Sequence, residues 1–358
     1  MKKDTTTTVG LDLGDRYSHL CVLDEAGDVV EEGKVMTRKE ALRRRFESMA
    51  PCVVAMETGA HSRWVSELLS GMGHEVVVAN ARKLRAIYSN DNKCDEVDAE
   101  MLARLARSDK SLLSPIRHRS EEAQAVLAIV RARAVLVTAR AKLINHVRGA
   151  VKSFGGRVPA CDVEAFHRRA GEAVPEKLRP ALAAVVGTVE AMTQTIREYD
   201  KQIEELVEKH APEAKRLKTI YGVGALTALC FVLTIEEPQR FTNSRKVGSF
   251  LGLRPKRDQS GNSDPHLRIT KAGDPYLRQL LVQCGHWVLS SHGKESDLQR
   301  WGLQIVARGG AQGKKRAVVA VARKLAVLMH RLWVTGEAYD PFHNSRTHTQ
   351  ESGEQAVA

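Results

Sequence analysis

Between residues 185 and 206 the apolar side chains Val185, Val189, Met192, Ile196, Tyr199, Ile203 and Leu206 recur at spacings of 4, 3, 4, 3, 4 and 3. A seam of this kind commits a segment to a long helix that buries one stripe against another helix. A candidate partner lies upstream. Ile129, Leu136 and Leu143, with Val130, Val137, Ile144 and Val151, repeat every seven positions before Gly155-Gly156 stops the helix. Ser120 followed by Glu121 and Glu122 starts that helix with a cap residue and acids near the positive end of its dipole. Residues 118–212 therefore read as a coiled-coil helical domain, its seam shared between a fold-back within one chain and pairing between chains.

The period changes on either side of that segment. Thr8-Val-Gly-Leu-Asp12-Leu-Gly14 alternates, so Val9, Leu11 and Leu13 share one face and Asp12 points to the other. Strands follow at His19 to Leu23 and Val29 to Val35, then a helix from Arg38 to Met49 and a nearly all-apolar strand, Cys52 to Met56, ending at Glu57. A helix over 61–71, a strand from Glu75 to Ala79 and a helix from Asp95 to Arg107 close the region. Three consecutive strands and then alternating helix and strand is the order of a ribonuclease-H-like α/β domain, placed at 7–110. From Leu217 short apolar runs mixed with Gly, Pro and basic residues predict a mostly helical third domain over 215–335, ending in an amphipathic helix, Ala317 to Trp333. The fold class is α/β plus α. Residues 341–358, rich in Ser, Thr, His, Gln and Glu, read as a disordered tail.

Charge is placed unevenly. The 55 Lys and Arg against 43 Asp and Glu leave a net +12 over 358 residues. Arg131 to Lys152 holds six basic residues and no acid, and Val306 to Arg331 holds seven, Lys314, Lys315 and Arg316 among them, again without an acid. Acid-free basic blocks on foldable helices are the footprint of a polyanion partner, here nucleic acid. No window approaches the roughly 20 apolar residues of a membrane helix, so a spanning protein is excluded. The polar start, Met1-Lys-Lys-Asp-Thr, argues against export. Six scattered cysteines without a CxxC pair argue against zinc and disulfides and for a reducing cytoplasm.

Four acids stand out. Asp12 lies in a strand and Glu57 at the carboxyl end of one, where α/β folds place their chemistry. Asp95 and Asp98, three apart on a helix, project from one face. Taken singly each has an ordinary role as a turn residue, cap or dipole partner. Gathered together they repel unless a cation neutralises them, and hard oxygen ligands suit Mg²⁺ or Mn²⁺ acting at phosphorus.

Ile220-Tyr-Gly222-Val-Gly224-Ala-Leu-Thr-Ala228 has the form of a helix-hairpin-helix turn, whose glycines let amides at a helix start face a phosphate; a helix-packing turn reads equally well. Further on, Arg254, Lys256, Arg257, Arg268, Lys271 and Arg278 surround Ser260 on a Ser-Gly turn. Cations around a serine serve a nucleophile, because a charged phosphorane needs them, and serve a binding loop equally. Residue types alone leave both open.

Taken together, Val-Gly-Leu-Asp12-Leu-Gly, Met-Glu57-Thr-Gly and Lys93-Cys-Asp95-Glu-Val-Asp98-Ala resemble the RuvC-like DEDD domain of the insertion-sequence one-ten transposases. The Gly-Val-Gly turn, Phe-Leu-Gly-Leu-Arg-Pro, Gln-Ser260-Gly and Ile-Thr-Lys-Ala-Gly-Asp-Pro-Tyr-Leu-Arg resemble that family's C-terminal domain. The resemblance spans about residues 7–335. It implies a DNA recombinase related to Piv-type invertases and guided by a bridge RNA, working as a homodimer or homotetramer. It further implies Asp12, Glu57, Asp95 and Asp98 as ligands of Mg²⁺ or Mn²⁺, and Ser260 as the residue that attacks DNA and becomes a phosphoserine in a composite site. Asn262-Ser263-Asp264 stands where many relatives carry a Lys, which keeps Ser263 as a second candidate, and Cys94 replaces the commoner Thr.

Overall fold

The structure, a computed structural model, describes residues 7–84, 94–261, 263–265 and 267–345. Lys93, Asn262 and the tail from 346 onward lie outside the described residues. The chain divides into two compact units, Met1–His118 and Arg119–Ala358.

In the first unit, strands β1 (Thr8–Asp12), β2 (Tyr17–Leu23) and β3 (Val29–Met36) form an antiparallel meander, and β4 (Val53–Glu57) and β5 (Glu75–Ala79) extend it in parallel. The order across the sheet is β3-β2-β1-β4-β5. Helices α1 (Lys39–Glu47) and α2 (Ser62–Gly71) cover the face where Val9, Leu11, Val54 and Met56 pack with Leu42, Phe46, Val65 and Leu69. Helix α3 (Asp95–Ser108) covers the other, through Ala99 and Ala103 against Cys21 and Leu23, and Leu102 and Ala106 against Ala55 and Val77. The alternation of β1 explains the division: its branched residues serve one layer and Gly10 and Asp12 the opposite one.

In the second unit, α4 (Glu121–Ser153) and α6 (Arg179–His210) pair along their lengths, with α5 (Phe166–Ala173) between them in sequence. Ser120 caps α4 by accepting from the Ala123 N–H. Apolar contacts concentrate at the two ends of the pair. Ile144, Val147 and Val151 meet Leu182, Val189 and Phe166 at one. Leu127 and Val130 join Ile203 and Val207 in the C-terminal core at the other. Polar contacts bridge the middle: Arg133 Nε donates to Asp200 Oδ1 at 2.5 Å and Arg140 Nη1 to Thr193 Oγ1 at 3.2 Å. The heptad positions Val189, Ile196 and Ile203 are thus buried within one chain.

The remaining helices are α7 (Pro212–Leu217), α8 (Ala225–Ile235), α9 (Arg245–Phe250), α10 (Pro275–Val288), α11 (Asp297–Arg308) and α12 (Gly313–Thr335). Phe231, Leu281, Val321 and Leu325 lie at the centre of their shared core. The first residues of the expected tail are ordered: Asp297 accepts from the Asn344 and Ser345 N–H groups, and Arg300 lies over the Phe342 ring. The α11 N-terminus, with Asp297 in its first turn, gives this segment backbone partners that its composition does not announce. Among the described residues no helix is long and apolar enough to cross a membrane.

Candidate functional site

The first unit brings four acids to one end of its sheet, and a glycine makes this possible. A Cβ on Gly10 would sit 1.8 Å from the Ala99 carbonyl oxygen and 2.7 Å from the Ala103 nitrogen. Only hydrogen at this position lets α3 lie directly on the β1 backbone. The first turn of that helix carries Asp95, Glu96 and Asp98, and Asp12 is the β1 residue that follows Gly10 on the same face. The parallel register sets Leu11 beside Met56, so the next residues, Asp12 and Glu57, end neighbouring strands side by side.

The electrostatics record this convergence. Burial pushes the Asp12 carboxyl up to about 6, and the charges of Asp95, Asp98 and Glu57 add to the rise; His19 opposes it. An acid surrounded by acids ionises reluctantly. His19 sits opposite Asp12 in the β1–β2 ladder. Its Nε2 lies 3.6 Å from Asp95 Oδ2 and its Nδ1 3.1 Å from Glu96 Oε1. Glu96 is held below the usual carboxylate range by its own backbone N–H, with the Cys94 side chain and His19 contributing. His19 and Glu96 were not singled out from sequence; the hairpin register, which sets His19 across from Asp12, is the signal that finds the histidine.

Among the described residues no group of three or more His, Cys, Asp or Glu side chains is drawn tightly enough to cage an ion. The donor set nevertheless fits a hard divalent cation: the half-buried Asp12 carboxylate feels the charges of Glu57, Asp95 and Asp98, with one histidine beside it.

Ser260 belongs to the second unit, near the tip of an arm rooted at Leu253 and Lys271 and exposed over 254–261. At the root, Pro255 pairs with Ile269, Lys256 N–H donates to Arg268 O, and Thr270 N–H donates to Arg254 O. Near the tip, Ser260 and Ser263 exchange backbone hydrogen bonds of 3.1 and 2.9 Å across Gly261, whose φ is +53°. Residues paired this way present side chains on one face of a ribbon, so both hydroxyls stand together. Arg257 Nη2 lies 3.7 Å from Asp264 Oδ2. Gly252 (φ +69°) and Gly273 (φ +71°) clamp the root: a Cβ on the first would meet Ala272 at 2.3 Å, and on the second Phe250 O at 2.1 Å. Arg278 braces the same place, donating to Leu251 O and Ala272 O, and Asp274 caps α10 by accepting from the Tyr276 and Leu277 N–H groups.

The two glycines of the Gly-Val-Gly turn differ. Gly222 has φ +87°, and a Cβ there would meet the Trp287 ring at 2.8 Å; Gly224 has ordinary extended backbone and open space before it. Gly224 offers α8 no side-chain cap. The turn opens on a cavity of about 520 Å³ that Lys218, Lys294 and Gln283 help to line. Lys314, Lys315 and Arg316 are exposed in the first turn of α12.

The sequence also matches families of known proteins. Residues 9–155 match a family model described as "Transposase", of the DEDD IS110 type. Residues 214–300 match the model "Transposase IS116/IS110/IS902 family". The chain is 27% identical over 339 residues to the transposase for insertion sequence element IS1111A of Coxiella burnetii, covering 92% of this chain and 90% of that one. A putative transposase of Sinorhizobium fredii is 31% identical over 318 residues, 86% of this chain and 79% of its own. A shorter match, 27% over 153 residues, covers 41% of this chain and 46% of the pilin gene-inverting protein of Moraxella lacunata. Two family models in order along the chain, with relatives matched over most of their length, leave one assignment: the protein belongs to the IS110 family of transposases.

Proposed function

We propose that this transposase cuts and rejoins DNA through a covalent serine–phosphate intermediate. Asp12, Glu57, Asp95 and Asp98 hold Mg²⁺ or Mn²⁺ in this reading, and Ser260 is the nucleophile. The observation that carries it is the Asp12 carboxyl, pushed up to about 6 by burial and by the three other acids. A fold that gathers four acids at one point, with His19 opposing the rise at Asp12, suits a cation. The strand order β3-β2-β1-β4-β5, with acids at the ends of β1 and β4, supports a ribonuclease-H-like domain of the RuvC kind.

The bound cation would polarise the scissile phosphate and stabilise the oxygen leaving it. The Ser260 Oγ loses its proton and forms a P–O bond, while the phosphorus–oxygen bond to the neighbouring sugar breaks and that oxygen takes a proton. The phosphoserine ester conserves the bond energy, so the reverse attack by a sugar hydroxyl rejoins DNA without another energy source. Arg257, nearest the tip, would help stabilise the charged phosphorane, and Arg254, Lys256, Arg268 and Lys271, nearer the root, would grip flanking phosphates. Gly222, Gly224 and the Lys314–Arg316 cluster hold backbone further away, and Arg278 keeps the arm root in place. The +12 chain suits a second polyanion, a bridge RNA that selects DNA by base pairing while the protein reads backbone.

A suicide DNA substrate trapped on the protein tests the reading. Covalent adducts are expected from the wild type and none from Ser260→Ala or Asp12→Ala. Adducts that persist in Ser260→Ala and vanish in Ser263→Ala move the nucleophile to Ser263. Cleavage by water with no adduct overturns the serine mechanism in favour of a RuvC-like nuclease. Mixing the two inactive variants tests the oligomer: recovered activity means that acids and serine come from different copies.

A further inference from the structure

One side of the serine arm forms a wall of a groove of about 1350 Å³, and α12 forms the opposite wall. Arg268 and Lys271 reach it from the arm, Arg245 from α9, and Lys315, Arg316, Arg323 and Lys324 from α12. No acid lines it, and among the described residues none of these seven cations pairs with a carboxylate. Three basic residues also crowd the first turn of α12, which carries no acid, at the helix end where positive charge is least favourable. Potential of one sign, concentrated between two walls, calls for a polyanion.

The floor has a different chemistry. Leu253, Pro255, Leu267, Ile269 and Val319 line it with Trp301, and the Lys324 ammonium lies over the indole at 4.2 Å from the ring centroid. A cationic rim needs phosphates, while an apolar floor needs flat, poorly hydrated faces. Duplex DNA offers the first and hides the second in its stack. An unpaired strand offers both.

We propose that this groove holds an unpaired nucleic-acid strand, phosphates along Lys315, Arg316 and Arg323 and bases against Leu267, Ile269 and Val319. The inference rests on the reading of the protein as a nucleic-acid-processing enzyme and specifies which form of substrate lies beside the Ser260 arm. The strand belongs to DNA opened for exchange or to a guide RNA, two sources of the same chemistry.

Fluorescence anisotropy with labelled oligothymidylate, oligouridylate and duplex, each of about 20 nucleotides or base pairs, tests it on the full chain. The wild type is expected to bind one unpaired oligomer about tenfold more tightly than duplex, and the preferred sugar identifies the source. Lys315→Ala/Arg316→Ala should weaken that binding about tenfold and make the salt dependence shallower by about 1.4 in logarithmic slope. Leu267→Ser keeps every charge and should weaken the unpaired oligomer alone. Arg323→Glu, on an exposed position, repeats the charge test in case the double variant folds poorly. Duplex bound as tightly as either oligomer, equal losses on duplex in Leu267→Ser, or displacement by polyglutamate as effective as by oligonucleotide each overturns the proposal. Covalent DNA adducts formed without this binding preference overturn the groove alone. Preserved preference without adducts overturns the serine reading alone.

Discussion

The acids and the serine are held in opposite ways. Asp12, Glu57, Asp95 and Asp98 owe their positions to buried packing: β1 and β4 run through the core, and α3 is pressed onto the sheet at Gly10. Ser260 stands on an exposed arm secured at its root, and its own surroundings contribute little burial. The contrast teaches where stability and chemistry are coupled. Disturbing the acid site disturbs the fold of its unit, whereas the serine can be removed with little effect on folding.

The largest blow to that contrast is Gly10→Val. Its Cβ cannot coexist with the Ala99 carbonyl 1.8 Å away, so α3 must leave the sheet, at a cost of about 4 kcal/mol or more. Urea unfolding followed by circular dichroism reads it; a native-like midpoint would refute the packing account. Gly222→Ala comes next, at about 1–3 kcal/mol, because φ is +87° and Trp287 stands in the way. Gly224→Ala, with open space, should stay within about 0.5 kcal/mol and report on nucleic-acid binding instead.

Asp12→Asn should move stability the other way. A carboxyl that binds its proton more tightly when folded contributes stability below the unfolded value of 3.8 and loses it as pH rises toward about 6. Above that window the acid weakens the fold by about 1 kcal/mol once solvent screening is discounted. The neutral variant is then expected to melt a few degrees higher at pH 7.5 and equally at pH 3.5. Millimolar Mg²⁺ should raise the wild-type melting temperature at pH 7.5 and leave Asp12→Asn nearly unmoved. A variant less stable than wild type at neutral pH would refute the mutual repulsion. The smallest stability effect belongs to Ser260→Ala, within about 0.5 kcal/mol with all adducts lost; a large loss of stability would show that the arm is part of the core.

Much of the first unit was legible because β1 alternates and because β4 and β5 are apolar runs bounded by turns. The acids were visible as positions on those elements. Gly10 was not, since alternation says which face a residue takes but not how closely a helix approaches it. His19 emerges only through register, a pairing between strands that neither strand encodes alone. The heptads announced burial and an upstream partner but left the seam divided between a fold-back and pairing between chains; both ends of the α4–α6 pair pack within one chain. The arm resists sequence reading for another reason: Pro255 with Ile269 and Ser260 with Ser263 imply registers one residue apart, so alternation counted from the root misplaces the tip. Most of the groove cations are plain in the sequence as a basic block, but that none of them pairs with a carboxylate among the described residues is a property of the folded molecule.

The clamp at Gly252 and Gly273 has a consequence for diversification. Because anchorage resides in the two feet of the arm, the stretch between them is free to change length and composition while the body beneath stays intact. Transplanting that stretch from one relative to another would exchange Ser260 and its neighbouring cations as a single cartridge, so that, on the proposed serine mechanism, new substrate preferences need not await a redesigned scaffold.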